Sequence, residues 1–275
     1  MTSPPDLSAI VEGLLGRLSD LGGVVVAFSG GVDSTVLLAA ALRSLPRGRV
    51  VAATADSPSL ARTELAHAQR LVEAMGAEHV LVPVDELSVD GYRANAGDRC
   101  YFCKQTMLSA FSELAVTRGL GHVATGTHLG DRRAPHRPGL RAARELRVVE
   151  PLADAGFDKS AIRALARAWE LDVADKPASP CLASRLAVGV PVTIGRLNLV
   201  ERSEAAARLF LTESGVHPRD LRVRLLADQF RLELDEQTYT DVTNAGLIDS
   251  VLQHLSSTGL VVHGTLTHYR SGSVS

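Results

Sequence analysis

Ser29, Asp33 and Ser34, set around Gly30 and Gly31, are the residues of this chain best arranged for chemistry. They lie in the run Val24-Val25-Val26-Ala27-Phe28-Ser29-Gly30-Gly31-Val32-Asp33-Ser34. Its apolar start reads as a buried parallel strand. Thr35-Val36-Leu37-Leu38-Ala39-Ala40-Ala41-Leu42 follows and reads as a helix. A strand, a tight glycine turn and a helix N-terminus together build an anion site. Gly30 and Gly31 have no Cβ, so the backbone can turn sharply and approach a phosphate. The N–H groups of the first helical turn point at that phosphate. Ser29 and Ser34 add hydroxyl donors. Asp33 would repel a bare phosphate, which implies a Mg²⁺ bridge or an ordering role. The plain alternative is a Ser/Gly-rich turn that only joins strand to helix.

The loop is not a Walker A loop, because it lacks the Gly-Lys-Ser/Thr ending that serves γ-phosphoryl transfer. It resembles the PP-loop of the ATP pyrophosphatases. That resemblance implies that the loop holds departing pyrophosphate while a substrate oxygen attacks the α-phosphorus of ATP, giving an adenylate.

Other residues with chemical potential follow further apolar runs. Asp56, in Thr54-Ala55-Asp56-Ser57-Pro58, stands just past the second expected strand, where it could meet the nucleotide or serve as a turn or helix cap. Gly126, in Thr125-Gly126-Thr127-His128, would let the backbone approach adenine or ribose, or be an ordinary glycine turn. Cys100 and Cys103 form a C-x-x-C segment before a helix, and Cys181 lies in Ser179-Pro180-Cys181-Leu182-Ala183-Ser184-Arg185. Three thiolates suit a [4Fe–4S] cluster with one iron left open. Zinc would want a fourth ligand, from His79 or His122. A dithiol redox pair and three buried cysteines acting as small hydrophobes are further readings. Arg222 and Arg224 share one face of an expected strand. Two adjacent guanidiniums make a phosphate clamp; alternatively they form an exposed face paired with Glu201, Glu204 or Glu233.

The chain has 275 residues, 45% hydrophobic, enough for one large domain or two smaller ones. A formal net charge of −2 and 4% aromatic residues give no global basic field and no base-stacking surface, so no nucleic-acid partner is expected. No apolar run approaches the roughly 20 residues a membrane span needs, so no membrane partner is expected. Met1 to Asp6 lack a basic and an apolar leader region, and three cysteines make a disulfide framework improbable. A cytoplasmic location is therefore expected.

Residues 7–20 read as an amphipathic helix. Strand-like runs recur at 50–54, 79–84 and 122–126, with helical patterns around 60–75 and 104–118. This alternation predicts an α/β fold with a doubly wound parallel sheet and ligands at the carboxyl ends of the strands. Asp158 to Glu170 reads as another helix, with Asp158 as its N-cap. From about 190 the texture changes to a helix over 196–211 and alternating, half-buried strands at 221–225 and 230–234. A helix near 239–255 and a terminal strand near 259–267 follow. We expect a PP-loop domain over 1–180 and a smaller C-terminal α+β domain over 190–275, which binds substrate and oligomerises. The last Ser/Gly residues are expected to fray.

Several segments together resemble one PP-loop family. They are Ala27 to Ser34, Thr54 to Pro58, Arg99-Cys100-Tyr101-Phe102-Cys103-Lys104, Arg137-Pro138-Gly139, and Asp175-Lys176-Pro177-Ala178-Ser179-Pro180-Cys181-Leu182-Ala183-Ser184-Arg185. On them the chain is similar to the LarE family, the pyridinium-3,5-biscarboxylic acid mononucleotide sulfurtransferases of nickel-pincer nucleotide biosynthesis. The resemblance implies that ATP, with Mg²⁺, adenylates a pyridinium carboxylate and that sulfur then displaces AMP, leaving a thiocarboxylate. It implies catalytic roles for Asp33, Ser34 and Cys181. Ser29, Gly30, Gly31, Asp33, Ser34, Asp56 and Gly126 would bind the nucleotide. Arg185, Arg222 and Arg224 would bind the mononucleotide substrate. Some family members sacrifice a cysteine matching Cys181; others resemble enzymes with a [4Fe–4S] cluster on three cysteines matching Cys100, Cys103 and Cys181. This chain has those three and no others, which favours the cluster type. A homo-oligomer, a hexamer in form, is also implied. Ala134-Pro135-His136 departs from the family pattern, where an acidic and an aromatic residue are expected.

Two other functions compete. A cluster-dependent PP-loop tRNA thiolase would need a basic footprint, for which Arg132, Arg133, Arg137, Arg141 and Arg144 are the local candidates. A nucleotide-binding protein without turnover would keep the loop alone.

Overall fold

The computed structural model describes residues 7–134, 138–260 and 263–269. Met1 to Asp6, the segment Pro135-His136-Arg137 and the C-terminal Ser/Gly residues lie outside the described residues. In chain order the first elements are α1 (Leu7–Asp20), β1 (Val24–Ala27), α2 (Val32–Ser44), β2 (Val50–Asp56), α3 (Arg62–Ala74) and β3 (Glu78–Pro83). A 3₁₀ turn over Glu86–Ser88 precedes α4 (Asp90–Ala94), α5 (Arg99–Thr117), β4 (His122–Ala124), α6 (Leu129–Arg133) and α7 (Pro138–Glu145). Next come α8 (Pro151–Asp154), α9 (Lys159–Ala168), a 3₁₀ turn over Leu182–Arg185 and α10 (Ile194–Glu213). The last are β5 (Leu221–Leu225), β6 (Gln229–Leu234), α11 (Glu236–Asn244), α12 (Ile248–Ser257) and β7 (His263–His268).

Two compact units result. The first holds Met1–Glu86 and Cys100–Ser179, the second Leu87–Arg99 and Pro180–Ser275. In the first unit four strands lie in the order β3-β2-β1-β4, all parallel, with Val24 opposite both Val50 and His122. The side-chain period of two sends Val24 and Val26 to one face, where they pack with Leu37, Leu38, Phe157 and Ile162. Val25 goes to the other face, against Leu108, Phe111 and Ala115 of α5. Both faces are covered, which is why the strand is apolar throughout rather than alternating. The chain steps from β1 to β2 on one side and returns to β4 on the other. The switch point therefore falls between the carboxyl ends of β1 and β4, where open α/β sheets bind ligands.

The second unit carries a three-stranded sheet in the order β5-β6-β7, antiparallel between β5 and β6 and parallel between β6 and β7. Three details differ from expectation. All five residues of β5 are buried, so it is not a half-solvated strand. The helix expected near 239–255 is two, α11 and α12, broken at Gly246, whose φ of +67° no helix continues. Finally, α5 starts at Arg99, so the C-x-x-C lies inside the first turns of the helix rather than before it.

Phe157 is fully buried in the α2 side of the core. Phe157→Ala is expected to cost about 3–5 kcal/mol, read as a lower denaturation midpoint of the first unit by urea titration.

Candidate active site

The loop after β1 turns at Gly30, whose φ is +68°. A Cβ there would meet the Ala68 Cα and Cβ on α3 at 3.3 Å, so glycine is needed for both conformation and space. Gly31 is the N-cap of α2 and offers no side chain to cap it, which leaves the first-turn amides to solvent or a ligand. The Ser34 hydroxyl donates to the Gly31 carbonyl at 3.0 Å and accepts from the Ser29 amide at 3.2 Å. The Ser29 and Ser34 hydroxyls themselves lie 3.2 Å apart, and the Gly31 amide donates to the Ser29 Oγ at 3.4 Å. The two serines thus shape the loop as well as presenting hydroxyls on it. Below the loop, the Thr54 hydroxyl donates to the Phe28 carbonyl at 2.9 Å and meets the His79 Nε2 at 2.8 Å. Burial holds the His79 imidazole below its ordinary pKa.

Two lysines that the sequence did not mark reach this loop. Lys159, the first residue of α9, sets its Nζ 2.7 and 2.8 Å from the two carboxylate oxygens of Asp33. The Asp158 N-cap fixes that helix end by accepting from the Ala161 amide at 2.8 Å. That bond, with the Ser160 hydroxyl, holds the Asp158 carboxyl below the usual carboxylate range. Lys176 donates to the Gly30 carbonyl at 3.2 Å and to Glu64 Oε2 at 2.7 Å. His67 lies in the same group. Burial, and next the charge of Lys176, push its pKa down, and its Nε2 is buried with no hydrogen-bond partner.

Asp56 ends β2 and pairs with Arg62 at 2.6 Å, both side chains well exposed. It sits at the carboxyl edge of the sheet, held by the start of α3. Gly126 needs its missing Cβ for a different neighbour from the one expected. A Cβ would come within 3.0 Å of the Asp33 carbonyl carbon and the Ser34 amide nitrogen, so the glycine lets the segment after β4 press on the first turn of α2. Past it, His128 and Asp131 form a capping box on α6.

Cys100 and Cys103 stand one turn apart on α5. Gly139 of α7 seats against that turn: its Cβ would fall 2.9 Å from the Lys104 Cγ and 3.4 Å from the Cys100 carbonyl. Arg141 lies over the Tyr101 ring at 3.9 Å, and the Tyr101 hydroxyl donates to Glu145 at 2.7 Å. Of the basic residues near 132–144, Arg132 is bound by Glu150 and Asp154, each at 2.7 Å; Arg137 lies outside the described residues. No disulfide joins the three cysteines, and none is buried: Cys100 is exposed, Cys103 and Cys181 half-buried. The reading in which they act as small core hydrophobes is thereby corrected. His79 is engaged with Thr54 as described. Among the described residues no three His, Cys, Asp or Glu side chains gather about one point. Cys100 and Cys103 belong to the first unit and Cys181 to the second.

In the second unit Cys181 precedes the 3₁₀ turn whose last residue is Arg185. Arg185 binds Glu204 of α10 through Nε at 2.8 Å and donates to the Pro180 carbonyl at 2.6 Å. The same Glu204 oxygen accepts the Val223 amide at 3.1 Å, which ties α10 to β5. Arg224 binds Glu233 at 2.9 Å and the Ser184 carbonyl at 2.7 Å. Arg222 reaches Asp220 at 3.3 Å and lies over the Tyr269 ring at 3.8 Å. All three arginines are buried, not an exposed face. Burial pushes Arg224 down from the guanidinium range, aided by the charges of Arg222 and Arg185 and opposed by Glu233. The structure thus brings Arg185, Arg222 and Arg224 into one charged group, with Glu204 and Glu233 as the acids; Glu201 is half-buried on α10.

The Arg224–Glu233 pair is 5% and 1% exposed, whereas Arg62–Asp56 is 50% and 41% exposed. Removing one partner of a buried pair strands the other charge. Glu233→Ala is therefore expected to cost about 3–5 kcal/mol and Asp56→Ala about 0–1 kcal/mol, compared by thermal and urea unfolding.

The family model described as asparagine synthase matches residues 12–90, the stretch from α1 through the loop and beyond β3. An uncharacterized protein of Synechocystis sp. is 34% identical over 98% of this chain and 97% of its own length. The pyridinium-3,5-bisthiocarboxylic acid mononucleotide synthase of Lactiplantibacillus plantarum is 34% identical over 94% of this chain and 91% of its own. A tRNA(Ile)-lysidine synthase of Burkholderia pseudomallei is 36% identical over 35% of this chain. With the loop, the parallel sheet and a near full-length match in hand, the chain belongs to the LarE family of PP-loop enzymes.

Proposed function

We propose that this chain is an ATP-dependent sulfur transferase acting on a pyridinium carboxylate mononucleotide, in the construction of a nickel-pincer nucleotide. The observation that carries the reading is the uncapped, glycine-turned loop with Asp33 in the first turn of α2, in a chain matching the Lactiplantibacillus synthase over nearly its full length. A carboxylate oxygen of the substrate attacks the α-phosphorus of ATP, and the bond to pyrophosphate breaks. Sulfur then attacks the activated carbonyl carbon, and the bond to AMP breaks. The loop amides and the hydroxyls of Ser29 and Ser34 hold the departing pyrophosphate, a preorganised array that needs no rearrangement as charge develops. Asp33, a carboxylate at the loop, suits a Mg²⁺ ion, which supplies neutralising charge there. Asp56 and Gly126 border the nucleotide at the carboxyl edge of the sheet. Arg185, Arg222 and Arg224 bind the substrate phosphate, a role that buried, fork-shaped donors suit.

The thiols of Cys100, Cys103 and Cys181 suit an iron–sulfur cluster in donor chemistry, and all three are solvent-reachable. Cys100, Cys103 and Cys181 would hold such a cluster, which would supply sulfur for the second step. The proposal includes a cytoplasmic setting, a homo-oligomer of hexameric form, and no nucleic-acid or membrane partner.

Asp33→Ala is expected to reduce AMP formation to background while leaving the circular dichroism spectrum unchanged; normal AMP production would sink the assignment. Cys181→Ser is expected to keep pyrophosphate release and lose thiocarboxylate product by mass spectrometry. Iron and acid-labile sulfide after anaerobic preparation should reach about four of each per chain. With no iron, and Cys181 turned to dehydroalanine after one reaction cycle, the sacrificial route would replace the cluster.

A further inference from the structure

We propose that Lys159 is a phosphate-binding residue held in waiting: in the nucleotide-free chain it occupies the cation position on Asp33. When ATP arrives with Mg²⁺ it gives Asp33 up to the metal and turns to a phosphate oxygen. The inference rests on the proposed use of ATP and deepens it by adding a residue of the nucleotide site.

The argument begins with where Lys159 sits. It is the first residue of α9, so its own helix presents the positive end of its dipole and disfavours an ammonium there. What holds the charge is Asp33, whose two oxygens lie 2.7 and 2.8 Å from Nζ. Asp33 in turn lies in the first turn of α2, beside amides that favour an anion. An incoming polyphosphate brings more negative charge to that helix end than Asp33 does, and Mg²⁺ brings more positive charge to Asp33 than Lys159 does. Both partners of the ion pair therefore have a stronger alternative once nucleotide and metal bind together.

Exposure makes the exchange feasible. The Lys159 side chain is 43% exposed and Asp33 30%, so the pair is open to water. The second lysine at the loop differs. Lys176 is 17% exposed and is fixed by two acceptors, Glu64 and the Gly30 carbonyl. Lys176 braces the loop; Lys159, on a flexible four-carbon stem with one partner side chain, is the one that can swing.

The test is calorimetric titration of inorganic pyrophosphate and of ATP, with Mg²⁺ and in EDTA, into the wild-type chain and its Lys159→Met, Lys159→Arg and Asp33→Asn variants. Lys159→Met is expected to weaken binding about 10–100-fold with Mg²⁺, the worth of one charge-assisted hydrogen bond, and to weaken it in EDTA too, where Asp33 is left uncompensated beside the anion. Lys159→Arg should recover most of that loss. Asp33→Asn should bind metal-free pyrophosphate at least as well as wild type and lose the gain from Mg²⁺. Wild-type affinity in Lys159→Met, with an unchanged melting temperature, overturns the proposal. So does an Asp33→Asn variant that loses metal-free pyrophosphate as Lys159→Met does, since the pair would then be a structural brace. A wild-type chain that binds neither pyrophosphate nor ATP would overturn the loop assignment itself, a failure visible before any variant is made.

Discussion

One backbone turn at Gly30 constrains most of what surrounds it. Its φ of +68° swings the chain from β1 into α2, and the space a Cβ would fill is taken by Ala68 of α3. On the other side the segment after β4 closes on Asp33 and Ser34 through Gly126. The N-terminus of α2 thus has close backbone neighbours that leave no slack for a side chain. The hydroxyl of Thr54 fixes the residue before the turn, and that of Ser34 fixes the turn itself. Such a loop keeps its amides aimed before any anion arrives, so little ordering remains to be done on binding.

The two units handle charge by opposite means. In the first, Asp33 and its lysine are open to solvent, where ion pairs are weak and partners can be exchanged. In the second, Arg185, Arg222 and Arg224 are nearly sealed from water together with Glu233, and Glu204 beside them is partly buried. Buried charges of that kind need acceptors, and here backbone carbonyls of Pro180 and Ser184 share that task with the carboxylates. Arginine suits the task where lysine would not, because its planar fork keeps several donors in fixed directions.

What could be read from the sequence was what is local. The strand, glycine turn and helix of the loop are contiguous in the chain, and the β/α alternation gave the parallel sheet without knowledge of any contact. Asp158 was legible as a cap for the same reason. Lys159 and Lys176 were not, because their partners lie 126 and 146 positions away. The cap marked where α9 starts, but no local pattern states that this start lies against α2. Leu221-Arg222-Val223-Arg224-Leu225 reads as half-solvated because arginine is ordinarily a surface residue. Glu233 and Glu204, from β6 and α10, reverse that expectation by meeting the charges inside. The start of α5 is hard to read locally since Tyr101 and Phe102 are weak helix formers, and the packing of Gly139 and Arg141 on that turn is tertiary.

The cysteines pose a question that packing alone does not answer. A free thiol usually lies in the core, where it behaves as a small apolar group. Here the core is filled by Leu, Val, Ala and Phe, and none of the three cysteines is buried in it. Cys100 and Cys103 share the first turns of a nineteen-residue helix, on a strip that also carries Lys104. Thiolates serve as metal ligands and sulfur nucleophiles, and exposed ones carry a standing risk of oxidation. None of the three is filler of the described core, which sets them apart from the usual structural thiol.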